Sequence, residues 1–383
     1  MNADRLASVP RAGRLACFCP PGVAPDDDDR PAEMSRYALA LTVAGFALSV
    51  LAQTLAIGVL PIAGLLIAPK AAWSTLPYAA LLAGAAVATF PASFLEGAFG
   101  RRAAFALGAS HGVAGGLVMA WAIGAQHFVG LCLGAFWLGV AQGFSLFYRH
   151  VVGLDARAGA ARAMATVFAA GAFAGLAAPA LARLAADLAP NQIYAAAAAA
   201  AAFVQVGVMA LALAAPVGAR VATEQALARP APVAWSVMAG PTLLGALAWF
   251  AMTAIMVASP GAMIGCGVSA ADATGAVAWH VVAMYAPALA VPLLVARLGA
   301  PALAALGLAL IALAKWLSLG ADQYASFLVA LIIVAVGWAW TTAAATQWLH
   351  GAGAPSRLQL ALHDAALFLA AVAGALIAAP RPV

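Results

Sequence analysis

The stretch Pro216–Pro232, PVGARVATEQALARPAP, holds three prolines, two arginines and a glutamate in a chain that otherwise runs apolar. Before it lie six continuous apolar segments, at 37–67, 73–95, 102–124, 127–148, 162–186 and 192–215. After it lie five more, at 233–259, 273–296, 300–319, 325–347 and 358–379. A helix crossing hydrocarbon needs about 20 apolar residues, and these segments supply them. No other polar interval between neighbouring segments is comparably long. The pattern predicts an all-α chain of two helical bundles, 36–215 and 233–383, joined by a linker at 216–232.

Composition agrees with lipid as the main solvent. The chain is 66% hydrophobic and 8% charged, with a mean hydropathy of +1.00. A soluble domain carries about 25% charged residues, so a water-facing surface cannot be built from this sequence. Membrane barrels alternate apolar with polar residues, whereas these segments are continuously apolar and rich in Ala, Leu and Gly, so helices are expected. The net charge of +5 comes from basic residues scattered between segments, which speaks for topology and against nucleic acid as a partner. Four cysteines make no disulfide framework. Residues 1–35 are polar and proline-rich, carry the acidic run Asp26–Asp29, and read as a disordered cytoplasmic tail rather than a signal peptide. Cys17 and Cys19 have a spacing that binds soft metals, but in a solvated tail they carry little weight, the more so because Met34 is an alternative initiator. The sequence has no phosphate loop, zinc-protease motif or nucleophile motif, so an enzyme is not expected.

Orientation follows from the basic residues. With the N-terminus in the cytoplasm, 14 of the 18 Lys and Arg residues face inward, and only Lys70, Arg183, Lys315 and Arg381 fall elsewhere. That is the positive-inside bias of a multi-pass protein of a bacterial inner membrane.

Between the second and third segments the chain reads SFLEGAFGRR, Ser93–Arg102. This resembles the loop signature of the major facilitator superfamily through Gly100, Arg101 and Arg102, although Gly97 stands where the signature has Asp and Glu96 falls one residue early. The fifth segment's GAFAGLAAP is weakly similar to a second signature. The resemblance implies two bundles with cargo bound between them near the midplane. It also implies twelve helices, so the twelfth is expected to be missing here.

The seventh segment contains Met252 and Met256, and the eighth contains His280 and Met284. Each pair is spaced i, i+4 and shares a helix face. Pairing the two antiparallel helices about their short loop brings Met256 level with His280 and Met252 level with Met284, roughly 6–17 Å inside the helix ends. Three thioethers and an imidazole would suit Cu(I) as cargo, because soft neutral ligands hold it without trapping it. Zinc prefers thiolate or more imidazole. Met263 and Cys266, placed in the periplasmic loop just above, would pass an ion inward. Met is also a common core filler. His280 shifts the balance, since a histidine inside a span defaults to a functional reading.

The same stretch, AMTAIMVASPGAMIGCGVSAADATGAVAWHVVAMYAPAL, resembles the CcoA-like copper importers, whose hallmark is M-x-x-x-M followed by H-x-x-x-M. That resemblance implies copper import for haem-copper oxidase assembly, with Met252, Met256, His280 and Met284 as ligands, a loop cysteine at Cys266, no permanent cofactor, and copper-handling or oxidase assembly factors as cytoplasmic partners. The related RfnT-like riboflavin importers share the motif pairs, and Trp249, Phe250, Trp279 and Tyr285 lie close enough to serve a flavin ring. A third reading is a degenerate carrier acting as a membrane sensor or assembly partner.

Other polar residues invite assignments. Glu96, Arg101, Arg102 and Arg149 are candidates for the cytoplasmic gate, and His363 and Asp364 for proton coupling. Gln53, Gln142 and His111 read more simply as helix-packing residues.

Overall fold

The computed structural model describes residues 36–155, 159–215 and 233–378. The tail with Cys17, Cys19 and Met34, the linker 216–232, Arg157 and Arg381 lie outside the described residues. Among those described, all regular structure is helical. The first bundle holds α1 (Arg36–Ile67), α2 (Leu76–Phe99), α3 (Arg101–Gly124), α4 (Phe128–Leu146), α5 (Tyr148–Asp155), α6 (Ala160–Ala169), α7 (Ala172–Leu188) and α8 (Ile193–Ala214). The second holds α9 (Trp235–Gly265), α10 (Ala270–Tyr285), α11 (Val291–Leu298), α12 (Ala300–Leu319), α13 (Tyr324–Gly351) and α14 (Arg357–Ile377). These make 11 segments long and apolar enough to cross a membrane among the described residues, the number the sequence predicts.

Local chemistry explains where helices start. Ser269 accepts a hydrogen bond from the Asp272 amide at the head of α10, and Ser356 and Gln359 form a reciprocal capping box on α14. Gly100 ends α2 and opens α3 at φ 81°, and Gly299 ends α11 and opens α12 at φ 83°. Both hold a left-handed conformation that costs glycine little. They stand at the same joint of the two bundles, between the second and third spans of each.

Close helix crossings repeat in the same way. In the first bundle α3 and α4 meet at Gly115 and Gly134, where a Cβ on either would come within 2.8 Å of the other's carbonyl oxygen. In the second, α12 and α13 meet at Gly307 and Gly337, where the corresponding approach is 2.5 Å. Lipid tails give little hydrophobic drive for helix association, so backbone-to-backbone packing through small residues supplies it. The two bundles meet along α2 with α14 and along α7 with α10.

The fifth and eighth spans were expected to be continuous and are not. The fifth breaks at Ala170–Gly171 between α6 and α7. The eighth passes through a 3₁₀ stretch, Ala286–Ala290, between α10 and α11. Pro287 and Pro292 lack the amide hydrogens an α-helix would need there. The two breaks face each other, with α6 packed on Ala286–Ala290. A third difference concerns α9, which continues through Pro260 to Gly265. Met263 therefore lies within a helix and not in a loop.

Candidate functional site

Six aromatic rings gather where the bundles meet. Phe46 on α1 and Phe168 on α6 come from the first bundle; Trp249 on α9, Tyr285 on α10, Trp338 on α13 and Phe368 on α14 come from the second. Phe168 lies 5.1 Å from Tyr285 and stacks on Trp338 at 5.6 Å, centroid to centroid. Trp338 also meets Tyr285 edge-on at 5.8 Å, and Phe46 meets Tyr285 at 6.0 Å. Trp249 crosses both Trp338 and Phe368 at 5.0 Å. Phe168 is the second-last residue of α6 and Tyr285 the last of α10, so the interruptions set the ends of α6 and α10 against each other. Interrupted spans at the meeting of two bundles are where transporters of this architecture hold cargo.

Several polar atoms in this region are buried without a partner: Trp249 Nε1, Trp338 Nε1 and, one turn beyond Trp338 on the same face of α13, Thr342 Oγ1. Leaving such a group unpaired costs about 1–3 kcal/mol, which a bound hydrogen-bonding ligand removes. The sequence pointed to Trp249 and Tyr285. It did not single out Phe46, Phe168, Trp338 or Phe368, which lie far apart along the chain and carry no local motif.

The four metal-type side chains are all closed off from the surface, with Met252 at 3%, Met256 at 5%, His280 at 0% and Met284 at 9% exposure. His280 Nδ1 lies 2.7 Å from the carbonyl oxygen of Leu331 on α13, which requires the imidazole to donate there. Its Nε2 is buried and without a partner, a bare lone pair. α10 packs chiefly on α13 and α7, whereas α9 packs chiefly on α14 and α13. Trp338 of α13 thus sits between Trp249, one turn before Met252, and Tyr285, next to Met284. Met263 packs with Ala273, Ala276, Phe327 and Leu331 in a smaller cluster of its own, and Cys266 is exposed at the end of α9.

A third group ties the bundles together through charge. Arg149 Nη2 on α5 donates to Asp364 Oδ1 on α14 at 2.6 Å, both side chains being almost fully buried. His150 Nε2 lies 3.1 Å from Asp364 Oδ2, and His150 Nδ1 lies 2.9 Å from His350 Nε2 on α13. His363 Nδ1 pairs with Thr242 Oγ1 of α9 at 2.8 Å. His150 and His350 escaped the sequence reading; the first was legible as a second ionisable residue beside Arg149 inside a span. By contrast Glu96 pairs with Arg101 at 3.6 Å within the first bundle, and Arg102 is exposed. Gln53 and Gln142 are buried on α1 and α4, and His111 is bonded to the Leu107 carbonyl oxygen.

Eleven membrane-length helices among the described residues, gathered in two bundles, define a multi-pass membrane protein. No family model matches the chain. It is 30% identical over 277 residues, 69% of its own length and 68% of the relative's, to the riboflavin transporter RfnT of Brucella anthropi. The human organic anion transporter MFSD10 shares the fold at a TM-score of 0.69 and 16% identity, covering 90% of this chain and 93% of that one. The proton:xylose symporter XylE does so at a TM-score of 0.65 and 13% identity, covering 88% and 87%. The chain belongs to the major facilitator superfamily, in the family of the transporter RfnT. It is a transporter and not an enzyme.

Proposed function

We propose that this chain imports riboflavin across a bacterial inner membrane. The observation that carries the reading is the aromatic cluster shared by both bundles, with two indole N–H groups buried and unpaired beside it. An isoalloxazine ring is a flat tricyclic system whose faces stack on aromatic side chains and whose heteroatom edge accepts hydrogen bonds. Trp249 and Trp338 offer both faces and donors, and Thr342 adds a hydroxyl for the ribityl chain. The RfnT relationship points the same way. Growth of a riboflavin auxotroph on trace vitamin, and uptake of labelled riboflavin into proteoliposomes holding only the purified protein, test it. Uptake indistinguishable from empty liposomes defeats the reading and favours a sensor or assembly role.

One observation favours copper as a second reading. His280 donates from Nδ1 to a backbone carbonyl and leaves Nε2 bare, the arrangement by which metal-binding histidines are oriented. With Met252, Met256 and Met284 it would supply soft, neutral ligands to Cu(I). Labelled-copper uptake by cells carrying the wild type or His280→Ala separates the two; equal uptake removes copper as cargo.

A further inference from the structure

We propose that riboflavin lies with its ring in the aromatic cluster and its ribityl chain along α13, the terminal hydroxyl entering a cavity between Arg149, Thr346 and Gln347, and that this cavity selects flavin without a phosphate. The proposal rests on the riboflavin reading and deepens it.

Its basis is the continuity of cluster and cavity. Phe168 stacks on Trp338 in the cluster and also lines a cavity of about 20 Å³, together with Arg149, Thr346 and Gln347. Trp338, Thr342 and Thr346 follow one another at steps of four along α13, so hydroxyl side chains lead from the indole to the cavity. An extended ribityl chain of five carbons reaches roughly 6 Å, the rise from Thr342 to Thr346. Thr342 Oγ1 is buried and unpaired. The Thr346 hydroxyl donates to the Thr342 carbonyl oxygen at 2.9 Å and keeps its lone pairs to accept.

The opposite direction suits the chain badly. On the other side of Trp338, α13 carries Ala335, Val334 and Leu331, all buried and apolar. Hydroxyls find no side-chain partner on that stretch of α13. His280 is bonded there, to the Leu331 carbonyl oxygen, and its bare Nε2 offers one acceptor to a chain of four hydroxyls. Burying the others unpaired would cost about 1–3 kcal/mol each.

Arg149 accounts for the selection. Its Nη2 donates to Asp364 Oδ1 at 2.6 Å and its Nη1 to the Leu146 carbonyl oxygen at 3.4 Å, while Nε is buried without a partner. One unpaired N–H suits one hydroxyl oxygen. The cavity has room for about one water, which a terminal hydroxyl replaces. The Gln347 amide, half-buried on the same wall, both donates and accepts and so completes the partners of that hydroxyl. A phosphate would bring three oxygens into space for one. It would also bring a charge of about −1.5 to −2 against a guanidinium that Asp364 already neutralises.

The test follows quenching of flavin fluorescence by the purified full chain in lipid nanodiscs. Riboflavin is compared with lumiflavin, which keeps the ring but has a methyl in place of the ribityl chain, and with flavin mononucleotide, which adds the phosphate. The proposal expects riboflavin to bind at least about tenfold more tightly than either. Gln347→Leu and Thr342→Val should each shrink the preference over lumiflavin about fivefold. Equal binding of lumiflavin and riboflavin overturns the placement of the chain and leaves the riboflavin reading standing. Flavin mononucleotide binding as tightly as riboflavin overturns the selection. A preference that moves in neither variant overturns the path along α13. Binding of no flavin at all defeats the riboflavin reading and this proposal with it. Should Thr342→Val not fold, Gln347→Leu on the cavity wall decides alone.

Discussion

Trp338 on α13 meets Trp249 on α9 edge-on, ring centroids 5.0 Å apart at 68°, with the Nε1 atoms of both indoles buried and unpaired. The pair packs two spans of the second bundle together while both indole donors stay unpaired. Replacing Trp338 by Phe keeps the ring and deletes one donor. We expect a KM for riboflavin raised about tenfold, the equivalent of about 1.4 kcal/mol, with little loss of thermal stability. Trp338→Ala should cost about 3–5 kcal/mol of stability by leaving a cavity among the three rings of Phe168, Trp249 and Tyr285. Initial uptake rates and melting of the purified protein check both, and an unchanged KM in Trp338→Phe removes that indole from the site.

His280 offers a separate test of structure. Its bond to the Leu331 carbonyl ties α10 to α13 where both are fully buried. His280→Phe keeps the bulk but leaves that oxygen without its donor. We expect a loss of about 1–3 kcal/mol. Thermal unfolding in detergent measures it, and a melting temperature equal to wild type would show that the bond contributes nothing net.

The sequence disclosed the spans well, because hydropathy is a local signal. It disclosed Met252, Met256, His280 and Met284 as candidates through i, i+4 spacing on single helices. The aromatic cluster was opaque for a physical reason. Phe46, Phe168, Trp338 and Phe368 each look like ordinary apolar content of a span, and only packing of the bundles brings them together. The helix breaks were half legible: Pro287 and Pro292 mark the eighth span, whereas Ala170–Gly171 carries no proline. Met263 was misplaced because Pro260 reads as a helix end, although a span can absorb an internal proline.

Glycine substitutions should separate crossing points from idle positions. A Cβ on Gly337 would stand 2.5 Å from the Gly307 carbonyl oxygen, and backbone cannot yield as a flexible side chain can. Gly58, mid-way along α1, has nothing within 4 Å of the same built atom. We expect Gly337→Ala to destabilise by about 1–3 kcal/mol through overpacking, and Gly58→Ala to be neutral or to stabilise by up to about 1 kcal/mol. Comparative melting of the two variants in one detergent checks the contrast, which fails if both behave alike.

Cys266 reports which way the chain lies in the membrane. It is exposed at the end of α9, whereas Cys132 lies part-buried within α4. With a cytoplasmic N-terminus, the seventh span ends outside the cell. A membrane-impermeant maleimide should then label intact cells through Cys266 and lose that labelling in Cys266→Ser, with Cys17 and Cys19 reacting only after permeabilisation. The end of the molecule where α14 starts would then face the cytoplasm. Labelling of Cys266 only in permeabilised cells would invert the molecule and overturn the orientation read from the basic residues.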